Sequence, residues 1–276
     1  MLDLPDGVHT KRYMVQPGTK LRLERWDPSD SSGFGGEEAR PVGLSKKLDE
    51  KLDLLQAKLF AEHKHMVLVV LQAMDTGGKD GTIRRIFRGA NPSGVRVAHF
   101  REPTQLELDH DFLWRAHAQV PAKGELVIFN RSHYEGVLVE RVHGLVTKDV
   151  WRQRYRQIND FEKELSESGT TILKFFLNID SGEQKRRLQE RLSDPDKQWK
   201  LSRDDFEERR LWPKYMKAYQ QALEATTTDF APWYIVPSNK KWFRDLLVSA
   251  VIVDALEGLH MEYPPMTVDL KSVKLR

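Results

Sequence analysis

Apolar residues follow two rhythms along the chain. Consecutive apolar runs at 66–71 (MVLVVL), 95–100, 124–132 (GELVIFNRS), 171–179 (TILKFFLNI) and 233–236 predict five strands. Between them the spacing changes to threes and fours. Leu44, Leu48, Leu52, Leu55 and Leu59 predict a first helix, and Ile83, Ile86 and Phe87 a second. Further helices are expected at 105–119, with Leu106, Leu113 and Trp114 inward, and after the third strand, carrying Tyr134, Val137, Leu138, Arg141 and Val142. Segments 148–167, 181–193, 212–225 and 240–257 complete the set. Strands alternating with helices, and strands apolar on both faces, predict an α/β fold: a mostly parallel sheet flanked by helices, with 171–179 near its centre. Ligands of such sheets sit beyond the strand C-terminal ends. Those ends carry Asp75, then Asn130-Arg131-Ser132, then Asp180-Ser181.

Residues 1–43 lack this periodicity and are rich in Gly, Pro and Asp. They are expected to form an N-terminal arm, packed on the body or on another subunit, ahead of one domain at 44–276. The leucine stripe at 44–59 fits either a helix covering the sheet or a short subunit contact. No apolar run is long enough to cross a membrane, and the N-terminus lacks a basic-then-apolar signal. The absence of cysteine excludes disulfides and thiolate metal sites and fits a cytoplasmic location. Forty-four basic residues oppose 41 acidic ones, leaving a net charge of +3, so affinity for polyanions must come from local clusters.

The richest chemistry lies where the first strand ends. MVLVVLQAMDTGGKDGT at 66–82 reads as strand, glycine turn with lysine, then helix. In that arrangement backbone N–H groups, a helix N-terminus and an ammonium converge on phosphate. The frame matches a Walker A loop around Gly77, Gly78, Lys79 and Gly81, with departures. Ala73 replaces the first glycine, Asp80 follows the lysine, and Thr82 displaces the usual metal-binding hydroxyl. Asp75 is an extra carboxylate suited to Mg²⁺, with Mn²⁺ the second candidate. Asp80 fits either a metal ligand or a helix cap. Asn130 stands where a Walker B carboxylate is expected. Arg131, beside it, fits a phosphate contact or a surface ion pair. The segment 183–200 carries Arg187, Arg191, Lys197 and Lys200, and with 201–212 reads as a cationic lid or as a solvated basic helix. Arg84, Arg85 and Arg88 add charge beyond the needs of one nucleotide, pointing to a long polyanion. Inorganic polyphosphate and nucleic acid both qualify, but no groove-reading or base-stacking motif supports the latter. Three functions follow: a polyphosphate-dependent nucleotide kinase, an ATP-dependent small-molecule or nucleotide kinase, and a non-catalytic polyanion binder.

Five blocks together resemble the polyphosphate kinase 2 family: LQAMDTGGKDGTI at 71–83, FREPTQLELDHDFLWRAH at 100–117, GELVIFNRSHYEGVLVERV at 124–142, RLSDPDKQWKLSRDDFEERRLW at 191–212 and DFAPWYIVPSNKKWFRDL at 229–246. The resemblance implies a P-loop kinase fold like that of thymidylate kinase, with a helical lid near 183–212. It implies Mg²⁺-dependent, reversible transfer between polyphosphate and nucleoside mono- or diphosphates, in a dimer or tetramer. By that resemblance Asp75, Lys79, Arg131 and Arg191 are catalytic. The loop residues through Thr82, with Asn130, Ser132, Tyr134, Glu135, Arg187, Lys197 and Lys200, bind phosphate or nucleotide. The SHYEGVLVERV block is similar to the type accepting both AMP and ADP, with Glu135 positioned to receive a purine amine.

Overall fold

The computed structural model describes residues 10–32 and 42–267, including all five expected strands. They are β1 (Met66–Gln72), β2 (Val95–His99), β3 (Leu126–Asn130), β4 (Thr170–Asn178) and β5 (Trp233–Pro237). They pair in parallel in the order β2-β3-β1-β4-β5, so β1 holds the centre and β4 lies next to it. The long helices are α1 (Val42–Glu62), α2 (Lys79–Ile86), α6 (Lys148–Glu167), α7 (Ser181–Ser193), α9 (Arg203–Arg210), α10 (Trp212–Thr226) and α11 (Lys241–Glu257). Four one-turn helices join them: α3 (Gln105–Leu108), α4 (Trp114–His117), α5 (Val139–Val142) and α8 (Pro195–Gln198).

Alternate strand residues feed two cores. Val67, Val69 and Leu71 of β1 pack with the stripe Leu44–Leu59 of α1 and with α11. Leu68 and Val70 face the opposite layer, with Ile158 and Phe161 of α6 and Tyr215, Tyr219 and Leu223 of α10. Period-two alternation at the strands against a helical stripe on each side is why one apolar run serves both layers.

The second layer encloses a charged group. Lys174 of β4 is fully buried and donates to Glu162 Oε2 at 2.5 Å, to Thr226 O at 2.7 Å and to Tyr134 Oη at 3.0 Å. Tyr134 Oη donates to Glu162 Oε1 at 2.8 Å, and His133 Nε2 lies 3.2 Å from that oxygen. Burial alone would raise the Glu162 pKa, but the Lys174 ammonium and the His133 hydrogen bond hold it below the ordinary carboxylate range.

Three expectations change. The segment 105–119 forms only α3 and α4; Leu106 is exposed and Leu113 and Trp114 are half-buried. Thr104 and Glu107 close a capping box that satisfies the short helix without a core face. The block after β3 is a 3-10 turn, His133–Val137, followed by α5, because Ser132 accepts from Tyr134 N and winds the chain tightly. The polar stretch at 194–211 holds α8 and α9, capped by Asp194 and Ser202.

The described part of the arm packs on the body. Tyr13, Val15, Leu21 and Leu23 are buried, and Met14 pairs antiparallel with Tyr234 at the edge of β5. Residues 33–41, which hold Gly33, Gly35 and Gly36 of the glycine-rich arm, and residues 1–9 and 268–276 lie outside the described residues. Among the described residues no helix is long and apolar enough to cross a membrane.

Candidate active site

The loop between β1 and α2 depends on its glycines. A Cβ on Gly77 would lie 2.5 Å from Ala73 Cβ and 2.7 Å from Met74 O. Gly78 adopts φ +108°, and a Cβ there would meet Arg244 Nη1 at 2.0 Å. Two further residues at strand ends hold left-handed backbone without being glycine: Thr76 (φ 61°) and Arg131 (φ 62°). Such strain persists where surrounding contacts over-determine the chain, and it concentrates at functional sites.

Four charged groups meet at the ends of β1 and β3. Arg131 Nη2 lies 3.1 Å from Asp75 Oδ1, and Arg131 Nη1 lies 3.8 Å from Glu135 Oε2. Lys79 Nζ turns back on the loop and donates to Ala73 O at 2.9 Å. Burial lowers the Lys79 pKa, reinforced by the Arg131 cation and opposed by Asp75, Glu135 and Asp80. Burial raises the Glu135 pKa despite Arg131 beside it and a hydrogen bond from Gln72 Nε2 at 3.1 Å. Burial also works against the Arg131 charge, but Glu135 and Asp75 outweigh it and raise that pKa. Each cation thus faces carboxylates it can exchange for phosphate oxygens.

The predicted residues divide by position. Asp75, Lys79, Arg131 and Glu135 converge. Asp80 does not cap α2, whose N-cap is Gly78; instead it accepts from Asn130 Nδ2 at 2.6 Å. There its charge also suits the first turn of the helix. Asn130 sits with Asp80 and His99, beside the cluster. Ser132 is buried and accepts from Gln72 Nε2 at 2.9 Å and from Tyr134 N, so it shapes the turn that presents Glu135.

Six further predicted residues lie outside this cluster. Tyr134 points into the second core and is spent on Glu162 and Lys174. Thr82 is buried, its hydroxyl 3.4 Å from Asp245 Oδ1 on α11. Arg187 lies behind the loop, not at its mouth. Its guanidinium donates to Thr76 O at 3.0 Å, Gly77 O at 3.2 Å, Ser238 O at 2.5 Å and Asn239 O at 3.3 Å, with Glu183 beside it. The cations Lys197 and Lys200 stay outside the cluster. Lys197 pairs with Asp194, and Lys200 Nζ lies 5.1 Å from the Trp199 ring centroid on the exposed surface. Arg191, half-exposed near the end of α7, has no hydrogen bond or ion pair among the described residues.

Several contributors escaped the sequence reading. Gln72 ties Ser132 to Glu135, and Gln184 Nε2 donates to Asp75 O at 3.1 Å. Arg244 presses on Gly78 from α11, held by Asp245. Asp205 of α9 lies within the electrostatic reach of Asp75, Arg131 and Arg191. Gln72, at the end of an otherwise apolar strand, was the one such residue with a visible signal; the others meet the loop only through the fold.

This arrangement, a glycine-bound phosphate loop at the central strand with carboxylates and cations at the neighbouring strand end, defines a P-loop kinase. The family model described as Polyphosphate kinase 2 matches residues 42–264. The chain belongs to the polyphosphate kinase 2 family. An AMP/ADP-polyphosphate phosphotransferase of Meiothermus ruber is 56% identical over 264 residues, covering 95% of this chain and 99% of that protein. An ADP-polyphosphate phosphotransferase of Rhodopseudomonas palustris is 40% identical, covering 94% of each chain. The crystal structure of polyphosphate kinase 2 from Arthrobacter aurescens superposes with a TM-score of 0.91 at 44% identity, covering 95% of this chain and 93% of that one. The five sequence blocks therefore led to the right family, and the strand order accommodates them in one polyphosphate kinase 2 fold.

Proposed function

We propose that this enzyme transfers phosphoryl groups reversibly between inorganic polyphosphate and AMP or ADP, giving ADP and ATP. The convergence of Asp75, Lys79, Arg131 and Glu135 carries the reading, together with relatives named for polyphosphate and for AMP or ADP. We place the kinase unit at 44–276 and its lid at about 183–212.

Phosphoryl transfer is catalysed mainly by positioning and charge stabilisation. Lys79 and the loop N–H groups hold the transferring phosphate, with Lys79 leaving Ala73 O to do so. Arg131 leaves Asp75 and stabilises the charge that builds on the phosphoryl oxygens. Arg191, Lys197 and Lys200 hold the donor when α7–α9 closes, and closure excludes the water that would hydrolyse it. Asn130 and Asp80 fix the floor beside the acceptor.

The donor set fits Mg²⁺, and Mn²⁺ second. Among the described residues no group of three or more His, Asp or Glu could cage a metal. Mg²⁺ characteristically takes one or two carboxylates and completes its shell with water and substrate phosphate. Asp75 is the carboxylate, and the buried Thr76 hydroxyl beside it has no hydrogen-bond partner. The ion, when bound, neutralises phosphate oxygens and sets their orientation.

Glu135, with its raised pKa and its Gln72 contact, is the acceptor-reading group: its carboxyl receives the amine of a purine, adenine first and guanine as an alternative. Assembly as a dimer or tetramer completes the proposal.

The test mixes protein, Mg²⁺ and polyphosphate with AMP in one reaction and ADP in another. Formation of ADP and then ATP from AMP, alongside ATP from ADP, is expected. Product from ADP alone would remove the dual-acceptor reading. No product in either, with turnover from ATP to a hydroxyl acceptor, would replace polyphosphate with ATP as donor.

A further inference from the structure

A second cationic feature lies away from the phosphate loop. Along the edge of β5 the described arm lines a groove of about 710 Å³ with Lys11, Arg12, Lys20, Arg22, Arg25 and Trp26. All five cations are exposed, and no carboxylate lines the groove. Arg12 has Asp30 at 3.6 Å; the other four have no ion pair among the described residues. Like charges lining one groove with no facing carboxylate raise the local concentration of a polyanion.

The cations are held in place by the backbone. Leu21 and Leu23 are buried while Lys20 and Arg22 between them face out, the alternation of an extended chain. Leu21 N donates to Glu224 Oε2 at 3.2 Å and Leu23 N to Gln220 Oε1 at 3.1 Å, both on α10. Val15 is tied on both sides, to Trp233 O and to Thr227 Oγ1. Glu224 and Gln220 thus meet the arm through its backbone and leave the cations outward.

One end of the groove reaches the catalytic edge of the sheet. Trp26 O accepts from Asn178 Nδ2 at 2.9 Å, at the C-terminal end of β4. Beyond it, Pro28 O accepts from Asn239 N, and Asn239 O in turn accepts from the Arg187 guanidinium behind the phosphate loop. β5 lies two strands from β1, about 10 Å away. A linear anion extending past the site in that direction meets the groove.

We propose that this groove binds the unreacted length of a long inorganic polyphosphate chain whose end is held at the phosphate loop. The proposal rests on polyphosphate being the donor. The groove sets one aromatic ring, Trp26, against five cations, and a uniform chain of phosphates needs charge alone. It works by keeping the donor tethered between turnovers, so it acts on long chains only.

The test is the triple variant Lys20→Gln/Arg22→Gln/Arg25→Gln, whose side chains are exposed and make no hydrogen bond or ion pair among the described residues. KM for long-chain polyphosphate should rise about tenfold, with a shallower dependence on salt because fewer counterions are released. Its kcat and its KM for tripolyphosphate should match the parent protein. Equal KM values for the two proteins on long chains would overturn the groove, as would the same loss on tripolyphosphate. If the parent protein uses no polyphosphate of any length, the donor assignment itself fails, a separate result. A labelled single-stranded RNA that binds the parent more tightly than long-chain polyphosphate, and loses that binding in the variant, would reassign the groove to nucleic acid.

Discussion

The turn after β3 supplies two charged clusters of opposite character. Arg131 and Glu135 reach the phosphate loop, whereas His133 and Tyr134, between them in sequence, enter the second core. In the core cluster, Lys174 has three acceptors at 2.5–3.0 Å and no exposure. At the loop, Arg131 meets its carboxylates at 3.1 and 3.8 Å, is partly exposed and adopts a strained backbone. The Lys174–Glu162 pair is saturated, with only His133 Nδ1 beside it left without a hydrogen-bond partner, whereas the cation at the loop is underused. A saturated buried cluster stabilises or specifies the fold, because breaking it strands a charge. An underused one keeps capacity for a ligand.

Substitutions can break that contrast, beginning with the largest effect. Lys79→Ala should lower kcat/KM for polyphosphate about 10³-fold or more, as for loss of a central charge-stabilising group, with thermal unfolding unchanged. A melting temperature that falls with activity would mean that Lys79 belongs to the scaffold. Lys174→Met should do the reverse. It should cost about 3–5 kcal/mol in urea unfolding by stranding Glu162, while kcat per folded molecule is retained. Pairing it with Glu162→Leu should recover much of the loss. Asp75→Asn should reduce kcat about a hundredfold and leave polyphosphate binding equal or tighter, since it removes a metal ligand and also frees Arg131. An unchanged kcat would exclude Asp75 from metal binding.

Acid titration sharpens the same contrast. The Glu162 pKa is depressed in the folded protein, so its stabilising contribution is present above the unfolded value near 4.5. It is lost as pH falls through the lower folded value. The stability gap between the parent protein and Glu162→Gln, read from urea midpoints, should therefore be full at pH 7 and narrow below about pH 4.5. The smallest effect belongs to Glu135→Asn. KM for AMP and for ADP should each rise about tenfold, because both carry the same purine amine, the scale of one hydrogen bond to a charged group. Unchanged KM values would place base recognition elsewhere.

The sequence carried much of this. Strand runs and helical stripes placed the five strands and the long helices other than α9, because a sheet buried on both faces leaves an unbroken apolar signature. The P-loop was readable because glycine, lysine and the preceding strand are constrained locally. The resemblance across five blocks named the family. What stayed hidden were contacts between residues far apart in the chain. Arg187 read as one more lid cation, yet it bolts the loop to the β5–α11 connection. Tyr134 read as a nucleotide contact through the family resemblance, but a tight turn sends its side chain into the second core and that of Glu135 to the loop.

The chain alone thus determined the α/β order, the phosphate loop and the set of charged groups at the strand ends, since each follows from spacing within a few residues. Only the tertiary structure decided which of those charges meet ligand and which meet each other. That choice turns on burial and on partners supplied by α6, α7 and α11, and local sequence holds no record of either.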